Sequence, residues 1–145
     1  MIHVEQSIVI QRPLEAVFAF VANPGNDAQW NAPIRATRLT SAGPVGVGTT
    51  FEHDVEFMGR RFVTTVEITE YVPNQQACVR TVGGPLQSWG CRTVAAVDGS
   101  TRLTVRLEGQ MRGVLKLGEA VAGVAARQQL ETGLARLKAL LEGQE

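Results

Sequence analysis

No excess of charge of either sign marks this chain: fourteen basic residues stand against fourteen acidic ones over 145 positions. It therefore carries no net field to draw it to nucleic acid or anionic lipid, and neither partner is expected. No apolar run approaches the roughly 20 residues that span a bilayer, and Met1 to Arg12 holds no apolar signal core. A cytoplasmic protein without integral membrane association is the expectation. Cysteine is scarce, and Cys78 and Cys91 are then expected as free thiols. Repeats, low-complexity tracts and linkers are absent as well, so one domain is expected over residues 1–145. The 44% apolar and 19% charged content is that of a globular chain able to enclose a substantial core.

His3 to Gln11 is rich in β-formers and reads as a strand, ended by Arg12-Pro13. Pro13 suits the first turn of a helix, where its missing N–H has no partner to lose. Leu14, Val17, Phe18 and Val21 recur at helical spacing to about Ala22, and Asn23-Pro24-Gly25 breaks the helix. A second short helical segment is read at Asn26 to Trp30. From Arg35 to Gly109 the period becomes two, with strands expected near 35–42, 48–58, 60–72, 76–83, 86–97 and 100–109. From about Val114 to Glu142 it returns to 3.6 without a proline.

Turn positions fix which residues share a face, because side chains alternate along a strand. A type I′ signal at Asp98-Gly99 sets Val94 opposite Leu103 and Arg92 opposite Val105. A turn at Gly84-Pro85 sets Arg92 opposite Ala77, Arg80 opposite Trp89 and Cys78 opposite Cys91. One at Pro73-Asn74 sets Ile68 opposite Val79 and Glu70 opposite Ala77. One at Gly59 puts His53, Val55, Thr64 and Val66 on one face. These parities agree, and they gather an interior face from Phe51 through Phe57, Phe62 and Glu70 to Arg92 and Leu107. Glu52, Asp54, Glu67, Arg80, Arg106, Trp89 and both cysteines fall on the other face, in solvent. In the last helix Leu130, Leu134, Leu137 and Leu141 form a stripe that continues into Ala126, Gly123 and Ala122. Small residues over a sheet leave space, so a cavity is expected under that half. Leu117, Val121 and Val124 make the same half apolar all round. Either the helix bends near Gly118 or Gly123 to turn them inwards, or they meet a partner, a second copy of the chain included.

Ser7-Ile8-Val9-Ile10, Pro13 to Phe18, Trp30, Gly46-Val47-Gly48-Thr49, Thr69 to Pro73, Gly84-Pro85-Leu86 and Leu130 to Leu141 together resemble the START-like helix-grip superfamily. The resemblance is to its bacterial SRPBCC, polyketide cyclase/dehydrase-like branch, over the whole chain. It implies an α+β helix-grip fold: a seven-stranded curved antiparallel sheet around a long C-terminal helix, with two short helices after the first strand. It also implies a ligand cavity between sheet and helix. The residues expected around that cavity are Trp30, Phe51, His53, Val55, Phe57, Phe62, Thr64, Val66, Val79, Arg92, Val94, Leu103, Val105, Leu117 and Val121. Relatives include lipid carriers, receptors, cyclases and accessory factors, and fold alone does not choose among them.

Three titratable side chains on the interior face are candidates for chemistry. Arg92 among valines either pairs with Glu70 or binds an anionic or carbonyl group of a ligand, since a lone buried cation is costly. His53 either acts as a general base or ligand hydrogen-bonder, or is satisfied by a neighbour such as Thr64. With no second histidine in reach and both cysteines outward, no metal site is expected, and no cofactor. Gly43 to Thr49 is glycine-rich but lacks a following helix and a Lys-Ser/Thr pair, so it reads as a flexible gating loop, not a phosphate loop. Binding of a small hydrophobic, aromatic or polyketide-like molecule in the cavity between sheet and C-terminal helix is the leading expectation. The alternatives are a cyclase/dehydratase-type enzyme using His53, Arg92 or Glu70, and an accessory protein docking through the apolar half of the last helix.

Overall fold

A computed structural model describes residues 2–83, 86–111 and 118–143. Strand β1 (Ile2–Ile10) leads into helix α1 (Leu14–Val21) and a 3-10 helix (Pro24–Gln29). Strands β2 (Ile34–Leu39), β3 (Thr50–Phe57), β4 (Arg60–Val72), β5 (Gln76–Gly83), β6 (Leu86–Val97) and β7 (Ser100–Met111) follow, and helix α2 (Glu119–Glu142) ends the chain. The strands form one antiparallel sheet in the order β1-β7-β6-β5-β4-β3-β2, curled around α2 as an α+β helix-grip. Among the described residues no helix is long and apolar enough to cross a membrane.

Local chemistry explains the segment that matters most below. Pro24 supplies a fixed φ at the first turn of the 3-10 helix, and the Asn23 side chain accepts the Gly25 N–H at 2.9 Å. That cap starts the segment two residues earlier than the expected Asn26. Two hairpins take type I′ turns: φ is positive at Asp98 (48°) and Gly99 (80°), and again at Met58 (54°) and Gly59 (77°). The registers agree with the expected ones at Arg92↔Val105, Val94↔Leu103, Cys78↔Cys91 and Ile68↔Val79, and His53 and Thr64 share a face as a directly opposed pair. The glycine-rich loop is tied down, since Gly48 N–H donates to Ile68 O at 2.8 Å and Ile68 N–H donates to Thr49 O at 2.9 Å.

One register differs. Between Ile68 and Glu70 the β4–β5 pairing slips by a residue, so Glu70 faces Cys78 and Tyr71 faces Ala77. A bulge inverts the parity of everything beyond it. Glu70 is therefore exposed on the outer face, where it accepts from Gln76 Nε2 at 3.1 Å. Tyr71 takes the inward place and meets Phe18 edge to face at 5.5 Å. The expected interior carboxylate is replaced by an aromatic ring.

Leu130, Leu134, Leu137, Leu141 and Ala122 of α2 are buried against Val4, Ile10, Leu103 and Val105. The end of the helix is fastened to β1: Lys138 Nζ donates to Val9 O at 2.6 Å, and Gln11 N–H donates to Glu142 Oε2 at 2.7 Å. Val121 and Val124 are 64% and 54% exposed, so they neither line the interior nor turn inwards at Gly123. The helix runs unbroken through Gly123, and its Ala122 side is the one that faces the sheet. Leu117 lies outside the described residues.

The cysteines also depart from expectation. Their register sets them directly opposite, with Cα atoms 4.1 Å apart, and they are joined as a disulfide. The expectation of thiols came from compartment; the geometry favours the bond. Closing a loop of this length removes unfolded-state freedom, so Cys78→Ser with Cys91→Ser should lower stability by about 2–3 kcal/mol in urea unfolding. A thiol titration of the unreduced, denatured protein should find none free; two free thiols would refute the cross-link.

Candidate functional site

Arg92 points inward from β6, and the 3-10 helix answers it. Its Nη1 and Nη2 donate to Asp27 Oδ1 and Oδ2 at 2.6 and 2.9 Å, and Nη1 also donates to Val21 O at 2.8 Å. The Asp27 side chain is 5% exposed and that of Arg92 15%, so this bidentate pair lies almost out of water. The guanidinium also lies over the Trp30 ring, 4.9 Å from its centroid. Trp30 is in turn pressed against α2, where a Cβ on Gly133 would come within 3.0 Å of the Trp30 carbonyl oxygen. Sheet, short helix and long helix therefore meet at one ion pair.

Asp27 is the residue that the sequence did not announce. An acid in the first turn of a helix reads as a partner of that helix's own N-terminus, giving no sign of an inward aim. The usable signal was indirect: an inward arginine requires a carboxylate, and most strand acids lie on the outer face. Glu70, the expected partner, is removed by the bulge.

His53 is 4% exposed on β3, directly between Thr37 of β2 and Thr64 of β4. Thr64 does not satisfy it, because its hydroxyl donates to Gly83 O instead. His53 Nε2 and Thr37 Oγ1 are both buried without a hydrogen-bond partner among the described residues. Burial pushes the imidazole below its ordinary value; nearby Asp27 opposes this, Arg92 reinforces it, and a hydrogen bond with the Pro24 backbone opposes it. At neutral pH His53 is the uncharged member of the group.

Beside Arg92 lies a recess of about 30 Å³, walled by Val21, Ala22, Pro24, Ala77, Val79, Gly90, Cys91, Arg92, Val105 and Leu107. That is room for one or two water-sized groups. A Cβ on Gly90 would come within 2.8 Å of both Arg106 O and Leu107 Cδ2, so a glycine is needed where β6 meets β7. Val21 and Ala22 at the end of α1, with Pro24, form the side of this recess that faces the sheet. Ala122, Gly123 and Ala126 of α2, expected as its roof, are not in its wall, and neither is His53.

The remaining expected residues divide by place. Val79, Arg92 and Val105 are in the recess wall. Phe51 and Val66 are buried in a second small core with Ile68, while Val94 and Leu103 are sealed in the main one. Val55, Phe57 and Phe62 are half-buried towards the β3–β4 turn. Trp30 is a packing and stacking residue at 1% exposure. Glu70 and Val121 are on the surface, outside the recess wall.

The family described as polyketide cyclase / dehydrase and lipid transport matches residues 1–142. No curated protein matches the sequence. Solved structures share the fold at low identity. A protein from Thermus thermophilus, TTHA0849, is 14% identical over 96% of each chain, with a TM-score of 0.82. A START superfamily protein from Mycobacterium smegmatis is 19% identical over 99% of this chain and 96% of its own, with a TM-score of 0.74. The Aha1 dimer from Colwellia psychrerythraea is 16% identical over 99% and 98%, with a TM-score of 0.67.

Two measurements test this arrangement. Arg92→Leu leaves the Asp27 carboxylate buried and unpaired, which should cost about 3–5 kcal/mol in urea unfolding. Asp27→Asn in the same chain should restore much of it, whereas Glu70→Gln should restore nothing. The second is acid sensitivity. A histidine with its folded value lowered binds its proton more readily in the unfolded chain. Stability should therefore be lost as pH falls through about 6.5 towards the folded value. His53→Gln should flatten that slope between about pH 7.5 and 5.5; an unchanged slope would mean that His53 does not contribute.

Proposed function

Because the chain belongs to the polyketide cyclase / dehydrase and lipid transport family, we propose that it binds a small hydrophobic molecule between the sheet and the helices that cover it. The observation that carries this reading is the recess: nine of its ten wall residues present no charge, and the tenth, Arg92, is already neutralised by Asp27. Apolar walls with one or two placed polar groups are what small-molecule sites have in common. An aromatic or polyketide-like ligand suits such a wall, with one end in the recess and the hydrocarbon remainder extending from its mouth.

Binding without turnover is favoured over a cyclase-type reaction by the fate of the titratable groups. Acid–base chemistry needs two of them aimed at one substrate atom. Asp27 is committed to Arg92, Glu70 is on the outer surface, and His53 is not in the recess wall. Calorimetric titration with α-methylstyrene should give one binding event per chain. Ala77→Leu, which fills the recess, should weaken it at least tenfold while unfolding stays cooperative. Equal affinity in the filled variant would place the ligand elsewhere, and no binding at all would refute the reading.

A further inference from the structure

Arginine carries five N–H donors in a planar fork. Asp27 and Val21 O engage three of them: both on Nη1 and one on Nη2. Asp27 approaches end-on, across Nη1 and Nη2, so the donors left over are Nε–H and the second Nη2–H. These two lie side by side on the neighbouring edge of the guanidinium without a partner among the described residues, and Arg92 is the charged residue in the recess wall. Resting on the binding role proposed above, we infer that this free edge is a hydrogen-bond fork for a neutral carbonyl oxygen, and that Asp27 sets the selectivity against acids.

The electrostatics decide between carbonyl and carboxylate. An unpaired buried guanidinium would favour an anion. Here a carboxylate already holds one edge of it, and a second anion on the other edge would sit close to the first in a space without water to screen the two. A carbonyl accepts the same two hydrogen bonds and adds no charge. The recess volume, about 30 Å³, suits the oxygen end of a molecule while the hydrocarbon remainder extends from it. A hydrogen bond from a charged donor is worth tenfold or more in affinity.

Three probes of one shape separate the possibilities: acetophenone, α-methylstyrene, in which CH2 replaces the oxygen, and benzoate. Arg92→Lys retains a cation for Asp27 and Val21 O but has no second edge. The affinity of acetophenone relative to α-methylstyrene should fall at least tenfold from the wild type to Arg92→Lys. The carbonyl stretch of bound acetophenone should shift to lower frequency in the wild type and not in the variant. Asp27→Asn should raise benzoate affinity at least tenfold. If α-methylstyrene binds but the ratio is unchanged and the carbonyl band does not move, the fork is refuted and the hydrophobic site stands. If Arg92→Lys weakens all three probes equally, Arg92 is structural only and the inference falls. If no probe binds the wild type, the binding role itself fails.

Discussion

The pairing of Arg92 with Asp27 is the interaction on which the interior arrangement depends. A guanidinium in the middle of a sheet strand cannot be left without a counter-charge. The chain supplies one from a six-residue 3-10 helix that has little apolar surface of its own to hold it in place. The same guanidinium takes the carbonyl at the end of α1 and lies on the Trp30 ring. Segments distant in sequence are thereby fixed by polar and stacking contacts around one side chain. The recess lies beside those contacts, between the Pro24 turn with the end of α1 on one side and β5, β6 and β7 on the other.

Much of this was legible in the sequence, for reasons that can be named. Asp98-Gly99 and Gly59 specify tight turns, and a tight turn fixes register, which in turn fixes the face of each side chain. Arg92 could be placed inward and opposite Ala77 and Val105 by counting alone. The leucine stripe of α2 was equally plain, because its spacing has one reading. What counting cannot see is an inserted residue. The bulge at Thr69-Glu70 leaves no mark in composition, yet it exchanges Glu70 for Tyr71 on the interior face. One chemical signal is present: a tyrosine is a better core residue than a glutamate, so the run Ile68-Thr69-Glu70-Tyr71 fits a slipped register better than a regular one.

Asp27 and the disulfide were hidden for different reasons. Irregular segments have no period, so the direction of an acid within one cannot be inferred from its neighbours. The cysteines were placed correctly in space and misjudged in chemistry. A turn specifies their opposition across β5 and β6, whereas nothing in the pattern of residues specifies their oxidation state. The bond lies behind two of the recess residues, since Ala77 precedes Cys78 and Arg92 follows Cys91. The strand pair that carries the polar edge of the recess is thus held from its outer side as well as by its backbone ladder.

Gly133 has a wider consequence than the space it leaves for Trp30. A glycine within a helix forfeits about 1 kcal/mol relative to alanine. Here it acts as a notch: the indole and its carbonyl fit at this position of α2, and the flanking Thr132 and Leu134 would each drive a side chain into them if the helix slipped by one residue. A leucine stripe by itself tolerates sliding, because one leucine can take the place of the next a turn away. The notch removes that freedom. It indexes the helix along its own axis, so that Glu142 meets the Gln11 N–H and Lys138 meets the Val9 carbonyl at the end of β1.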